Sequence, residues 1–267
     1  CGITRASWSK EGITMKIKQT FLFQFNDLKK AMFIFYGVLA LLLVFFIALF
    51  AISGPGSGEN YNSFEFSVYL FMFLMGGLIF NQYFHMTIQN GISRKTMYIS
   101  RILCFMLIAA IATGINMIWT IVGIFLPQDL ASFRLVTLLD VGYGSRMDLQ
   151  SPAGLVFLLF MNFFLLLLFT ALGNFFAALY YKMNKTTAIT VSICVPAIVV
   201  AIITLDILFL DTAILGKLLE FFNFITGLGL IRGTAFAPWR GPVSCLIITA
   251  LLFFIAWLLL RRMDIKK

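Results

Sequence analysis

Ala31 to Ser53 is an uninterrupted stretch without a single charged side chain. At about 1.5 Å per residue it makes roughly 34 Å of helix, enough to cross a hydrocarbon core of about 30 Å. Comparable runs follow at Phe66 to Met86, Ile102 to Leu126, Gly154 to Tyr181, Ala188 to Leu210 and Val243 to Leu260. In lipid every backbone amide must find its partner inside the protein, so such runs are helices. A barrel would need short alternating strands, which this pattern lacks. The expected fold class is therefore an all-α membrane protein with six transmembrane helices spanning 31–53, 66–86, 102–126, 154–181, 188–210 and 243–260. Composition agrees, since 61% of the 267 residues are hydrophobic and only 12% are charged.

The formal charge of +9 could suggest nucleic acid, but the Lys and Arg residues stand in small groups beside apolar runs, so no nucleic-acid partner is expected. They read better as orientation signals. With the N-terminus inside, cytoplasmic segments hold Lys16, Lys18, Lys29, Lys30, Arg94, Lys95, Arg101, Lys182, Lys185, Arg261, Arg262, Lys266 and Lys267. Outer segments hold only Arg134, Arg146, Lys217, Arg232 and Arg240. Both termini are expected in the cytoplasm, with residues 261–267 as a tail. Cys104, Cys194 and Cys245 lie in or at the end of apolar runs without CxxC spacing and read as packing residues.

Residues 1–14 carry no apolar signal-peptide core. Lys10-Glu11-Gly12 back-translates to a ribosome-binding sequence just ahead of Met15, so a mis-started leader and a bacterial source are expected. Residues 15–30 place Ile17, Phe21, Phe25 and Leu28 on one stripe, as in an interfacial amphipathic helix. Gly54 to Glu65 reads as a flexible outer loop. Asp211 to Pro242 carries Leu215, Leu218, Leu219, Phe222 and Ile225 at helical spacing and then Gly and Pro, which suggests an extracellular helical hairpin between spans five and six.

Between spans two and three lies Gln89-Asn-Gly-Ile-Ser-Arg-Lys-Thr-Met-Tyr-Ile-Ser-Arg101. Its cations are costly in lipid, about 2.5 to 3.5 kcal/mol each at mid-membrane, so the segment is expected in the cytoplasm. Asn90-Gly91 breaks the preceding helix and Ser93 can cap a new one, giving a short helix from Arg94 that runs into span three. The N-terminal interfacial helix, this segment, six spans and the extended outer segment together resemble the permease subunit of type 2 ABC exporters. The likeness covers most of the chain from Met15, and its most specific piece is Gly91-Ile92-Ser93-Arg94-Lys95.

That resemblance implies a coupling helix at Gly91, Ile92, Ser93, Arg94, Lys95 and Tyr98, docked on a soluble ATPase subunit. It also implies a second permease chain, identical or paralogous, in the bacterial cytoplasmic membrane. No GxxxxGK[ST] phosphate loop occurs here, so ATP and Mg are expected in the partner and no cofactor in this chain.

Within the spans, Asn116, Asn162, Asn174 and Asp206 could line a translocation path or bond between helices. Asp206 reads rather as a boundary residue. His85, near Asn81 and Gln82, reads as an interfacial histidine positioning the coupling segment rather than as a proton relay. Pro196 should kink span five, and Gly76-Gly77 should allow close helix approach. The phenylalanine-rich spans suit an apolar or amphipathic cargo. HExxH, GxSxG and CxxC are all absent, so the chain is not expected to be an enzyme by itself. A sensor or immunity subunit partnered with an ATPase has the same membrane pattern. A secondary transporter would need buried ionisable residues or inverted repeats, and neither is found.

Overall fold

The structure is a computed structural model that describes residues 10–53, 60–61, 65–125, 133–134, 138–209, 213–228 and 236–261. Expectations that fall on residues 1–9, on most of the outer loop after Ser53, on Asp211, on the Gly-rich stretch 229–235 and on the tail beyond Arg261 lie outside the described residues. The elements in chain order are α1 (Lys10–Ser53), β1 (Asn60–Tyr61), α2 (Glu65–Gln89), α3 (Arg94–Phe125), β2 (Phe133–Arg134), α4 (Leu138–Tyr143), α5 (Pro152–Lys182), α6 (Lys185–Phe209), α7 (Ala213–Thr226) and α8 (Arg240–Arg261). Apart from the β1–β2 pair, which joins two loops in parallel, the described residues form an all-helical protein.

Helices α1, α3, α5, α6 and α8 each contain a stretch long and apolar enough to span a membrane, whereas the described apolar stretch of α2, Glu65–Leu78, is shorter. The chain is thus a helical membrane protein with five such candidate spans among its described residues.

The centre of the bundle is α5. Ser151 starts it, its hydroxyl accepting the Gly154 amide at 3.1 Å, and Pro152 fits the first turn, where no amide partner is needed. One side of α5 lies almost in van der Waals contact with the α2 backbone. A Cβ on Gly173 would come within 1.9 Å of the Phe73 carbonyl, and one on Gly76 within 2.2 Å of the Thr170 carbonyl. Lipid tails are as apolar as leucine, so close backbone packing, rather than hydrophobic burial, holds spans together. The close approach expected at Gly76 is therefore present, with Gly173 as its counterpart. Around this contact α1, α2, α3, α5 and α8 share one core containing Leu28, Met72, Phe80, Phe105, Leu166 and Leu260.

At the end carrying β1 and β2, a second cluster gathers Leu139, Tyr143, Phe157, Met161, Leu228 and Cys245. Burial pushes the Tyr143 phenol well up, so it stays protonated and donates to the Thr226 carbonyl at 2.7 Å, tying α4 to the end of α7.

Two boundaries differ from the sequence expectation. The break between an interfacial helix and span one, expected at Lys30, does not occur: α1 is a single helix of 44 residues. Nothing between Ile17 and Ser53 interrupts it, and helix propagation is easy once a helix has started. Its buried centre line is Thr20, Gln24, Leu28 and Met32, with Ile17, Phe21 and Phe25 half-buried beside it, so this segment packs on protein rather than lying free in an interface. The short helix expected to run from Arg94 into span three is present as the first two turns of the 32-residue α3. Of the expected hairpin after span five, the described residues form one helix, α7, followed by turns. Gly227 ends α7 at φ 68° with its amide on the Asn223 carbonyl at 2.8 Å, and the Ala237 amide then bonds the Gly227 carbonyl at 3.0 Å.

Asp206 explains how α7 starts. It lies near the end of α6, is buried, and accepts the backbone amides of Ile214 at 2.9 Å and Leu215 at 2.8 Å. A carboxylate on the unpaired amides of a helix N-terminus is favoured by both hydrogen bonding and the helix dipole.

Candidate functional site

The α2–α3 connection is a four-residue turn. The Asn90 amide bonds the Met86 carbonyl at 3.1 Å and the Ile92 amide the Thr87 carbonyl at 3.1 Å, closing α2 around Gly91 at φ 67°. That backbone conformation is open to glycine and strained for most side chains, which is why the chain turns here. Ser93 then caps α3, its hydroxyl accepting the Thr96 amide at 3.1 Å and sitting 2.8 Å from the Thr96 hydroxyl. The local reading of Asn90-Gly91 as a break and Ser93 as a cap thus holds.

The turn is tied to other helices. Arg94 Nη1 donates to the Arg261 carbonyl at the end of α8 at 3.0 Å. The Ser100 hydroxyl shares its proton between the Thr96 carbonyl at 2.8 Å and the Ile17 carbonyl of α1 at 3.3 Å. Tyr98 is turned inward and donates to the Phe253 carbonyl of α8. Gly91, Ser93 and Lys95 are exposed and Ile92 and Arg94 half-exposed, so the outward face of the segment excludes Tyr98.

Beside the turn a pocket of about 330 Å³ is lined by Thr20, Gln24, Tyr83, Thr87, Asn90 and Ile92 among others. Tyr83, in its wall, donates to Asp27 Oδ2 at 2.7 Å. Gln24, 1% exposed, has no partner for either amide atom among the described residues.

The span asparagines fall into two groups. Asn116 and Asn162 form a polar ladder across four helices: Tyr36 donates to Asn116 Oδ1 at 3.3 Å, Tyr69 to Asn162 Oδ1 at 3.2 Å, and Asn116 Nδ2 reaches Asn162 Oδ1 at 3.5 Å. Such bonds are worth about 0.6 kcal/mol each between membrane helices. Asn174 stands apart, with its Oδ1 accepting from Arg101 Nη1 at 3.4 Å. Asp206, at the opposite end of the bundle, is brought together with neither group. His85, Asn81 and Gln82 lie on α2, and their side chains are outside the described ones.

Arg101 corrects the sequence reading most. Counted there as a cytoplasmic loop charge, it is 1% exposed and packed inside the protein, its guanidinium carbon 5.0 Å from the centre of the Phe80 ring. Burying a cation without a counter-charge costs several kcal/mol, while a ring contact returns about 2 kcal/mol at best. Residues Met97, Arg101, Cys104, Ile108 and Ala112 are all buried and recur every three or four positions. Arg101 thus stands in the inward stripe of α3, and extending that stripe back through the basic segment was the signal that could have found it. Among the described residues no group of three or more His, Cys, Asp or Glu side chains could hold a metal ion.

Comparisons of the chain with protein-family models, with curated proteins and with solved structures found no match.

Proposed function

We propose that the chain is the permease subunit of an ATP-driven exporter of the type 2 ABC class, with ATP and Mg handled by a separate soluble subunit docked on the α2–α3 turn. The observation that carries this reading is the turn itself: a capped, glycine-set corner that exposes Lys95 and half-exposes Arg94 while being bonded to α8 through Arg261 and to α1 through Ile17. A push on this corner is passed directly to α1, α3 and α8. The α2–α5 pair, locked by Gly76 and Gly173, resists it. Rocking of one group of helices against the other is how two-state membrane machines open alternately to the two sides.

In this reading α2 completes a set of six spans, both termini and the α2–α3 turn face the cytoplasm of a bacterial cell, and two permease chains enclose the path. The cargo is an apolar or amphipathic compound moved outward. The ladder at Asn116 and Asn162 is helix packing rather than the path, because its members already satisfy one another.

The test is copurification from gently solubilised native membranes. The native chain should bring down a soluble ATPase, and Arg94→Glu combined with Lys95→Glu should lose most of that association and of cargo-stimulated ATP hydrolysis. Unchanged association and hydrolysis in a folded double variant would refute the docking role.

A further inference from the structure

The exporter reading leaves Arg101 without a task, and its bonding is incomplete in a particular way. Nη1 is engaged by Asn174 Oδ1. Nε and Nη2 have no partner among the described residues, and neither has Asn174 Nδ2. Exchanging the oxygen and nitrogen of the Asn174 amide would set two donors against each other, so the orientation is fixed by chemistry. Nε and Nη2 form the side-on edge of a guanidinium, the edge that holds two oxygens of a carboxylate or phosphate in parallel.

No acidic side chain among the described ones satisfies that edge. Asp27 is bonded by Tyr83, and Asp206 caps α7 at the other end of the molecule. The Phe80 ring under the guanidinium and one long bond to a neutral amide return less than the desolvation of a cation demands. Three donors of this pair, all buried, therefore stand without an acceptor among the described residues.

We propose that Arg101 and Asn174 form a binding site for an oxyanion, a carboxylate or phosphate group, between α3 and α5 and against Phe80 of α2. The site stands on geometry alone and does not depend on the exporter reading. The anion comes either from a soluble molecule or from the headgroup of a lipid. Tyr181 packs edge-on against Phe80 at 5.9 Å and against Phe84 at 5.2 Å. It also lines a surface groove of about 610 Å³ between α2 and α5, with Leu78, Gly173 and Phe176. Phe80 thus touches both the guanidinium and the Tyr181 wall of the groove, so a lipid whose chain lies in the groove is a source of a headgroup for Arg101.

The test uses the full chain in nanodiscs and reads the thermal unfolding midpoint. Inorganic phosphate and acetate are titrated in phosphatidylcholine discs at ionic strength held constant with chloride, and phosphatidylglycerol discs are compared without them. A rise with phosphate or acetate identifies a soluble oxyanion, and a rise in phosphatidylglycerol alone identifies a headgroup. Arg101→Lys, which keeps the charge but not the two-pronged edge, should weaken the effect at least tenfold in concentration, and Arg101→Met should abolish it. Should Arg101→Met not fold, Arg101→Lys and Asn174→Ala carry the comparison. An oxyanion already bound would appear in native mass spectrometry as mass held by the native chain and missing from the Arg101→Lys variant. A native chain that holds no such mass and responds to none of the three probes overturns the site, as does a response that all the variants retain.

Discussion

Helices α5 and α6 are nearly equal in apolarity, and both are long enough to span a membrane, yet one is the axis of the bundle and the other stands outside it. The most apolar stretch of α5 is 44% buried within the protein, and that of α6 is 0% buried. Apolarity alone therefore does not decide position. Along its inward faces α5 offers Gly154, Thr170, Ala171, Gly173 and Ala178, which admit a neighbouring backbone, and Asn162 and Asn174, which bond to side chains of other helices. By contrast α6 offers mainly Ile and Val, and its hydroxyls turn back on their own helix: Thr190 to the Thr186 carbonyl, Ser192 to that of Ala188, Thr204 to that of Val200. Ser192 alone of these three also meets α5, its hydroxyl 2.9 Å from that of Tyr180 at an exposed edge. An isoleucine gains nothing by leaving lipid for protein, and one exposed hydroxyl contact with α5 does not replace the close backbone packing and buried interhelical bonds that draw spans together.

The contrast can be broken at its strongest point. Gly173→Leu puts a side chain into the Phe73 backbone, which cannot move aside as a flexible side chain would, so about 3 kcal/mol or more of stability should be lost. Size-exclusion profiles of the detergent-solubilised protein should show little folded material, and a native-like profile would mean the α2–α5 contact is not what centres α5. A smaller loss is expected where α6 does make polar contact. Asp206→Ala leaves the amides of Ile214 and Leu215 uncapped and should cost about 1 to 2 kcal/mol. The loss should be local, read as faster hydrogen exchange in α7 with α5 unchanged. The smallest effect belongs to the lipid-facing side of α6. Ala201→Leu, at an exposed position, should change the unfolding midpoint by less than the equivalent of about 0.5 kcal/mol, and a larger drop would show that α6 is packed after all.

Several features were open to reading along the chain. Apolar runs gave the helices, and the ends of α2 and α3 could be placed from Gly91 and Ser93, because both effects act within one or two turns. The close approach at Gly76 was readable for the same reason, though its partner Gly173 was not. Arg101 was misread because charge was weighed against lipid and water only, while its surroundings are Phe80 and Asn174, residues 21 positions before it and 73 after it. Asp206 was read as a boundary residue, but its bonds to two amides of the next helix required knowing where α7 turns back.

The sequence by itself determined that this chain lives among apolar helices and where several of them are punctuated, since the lipid solvent and the backbone's need for hydrogen bonds impose those choices residue by residue. Only the tertiary structure decided which helix is central, which asparagines satisfy one another and which arginine is enclosed with two of its nitrogens unpaired among the described residues. Those outcomes depend on which faces meet across the bundle, and no local rule of propensity or charge contains that information.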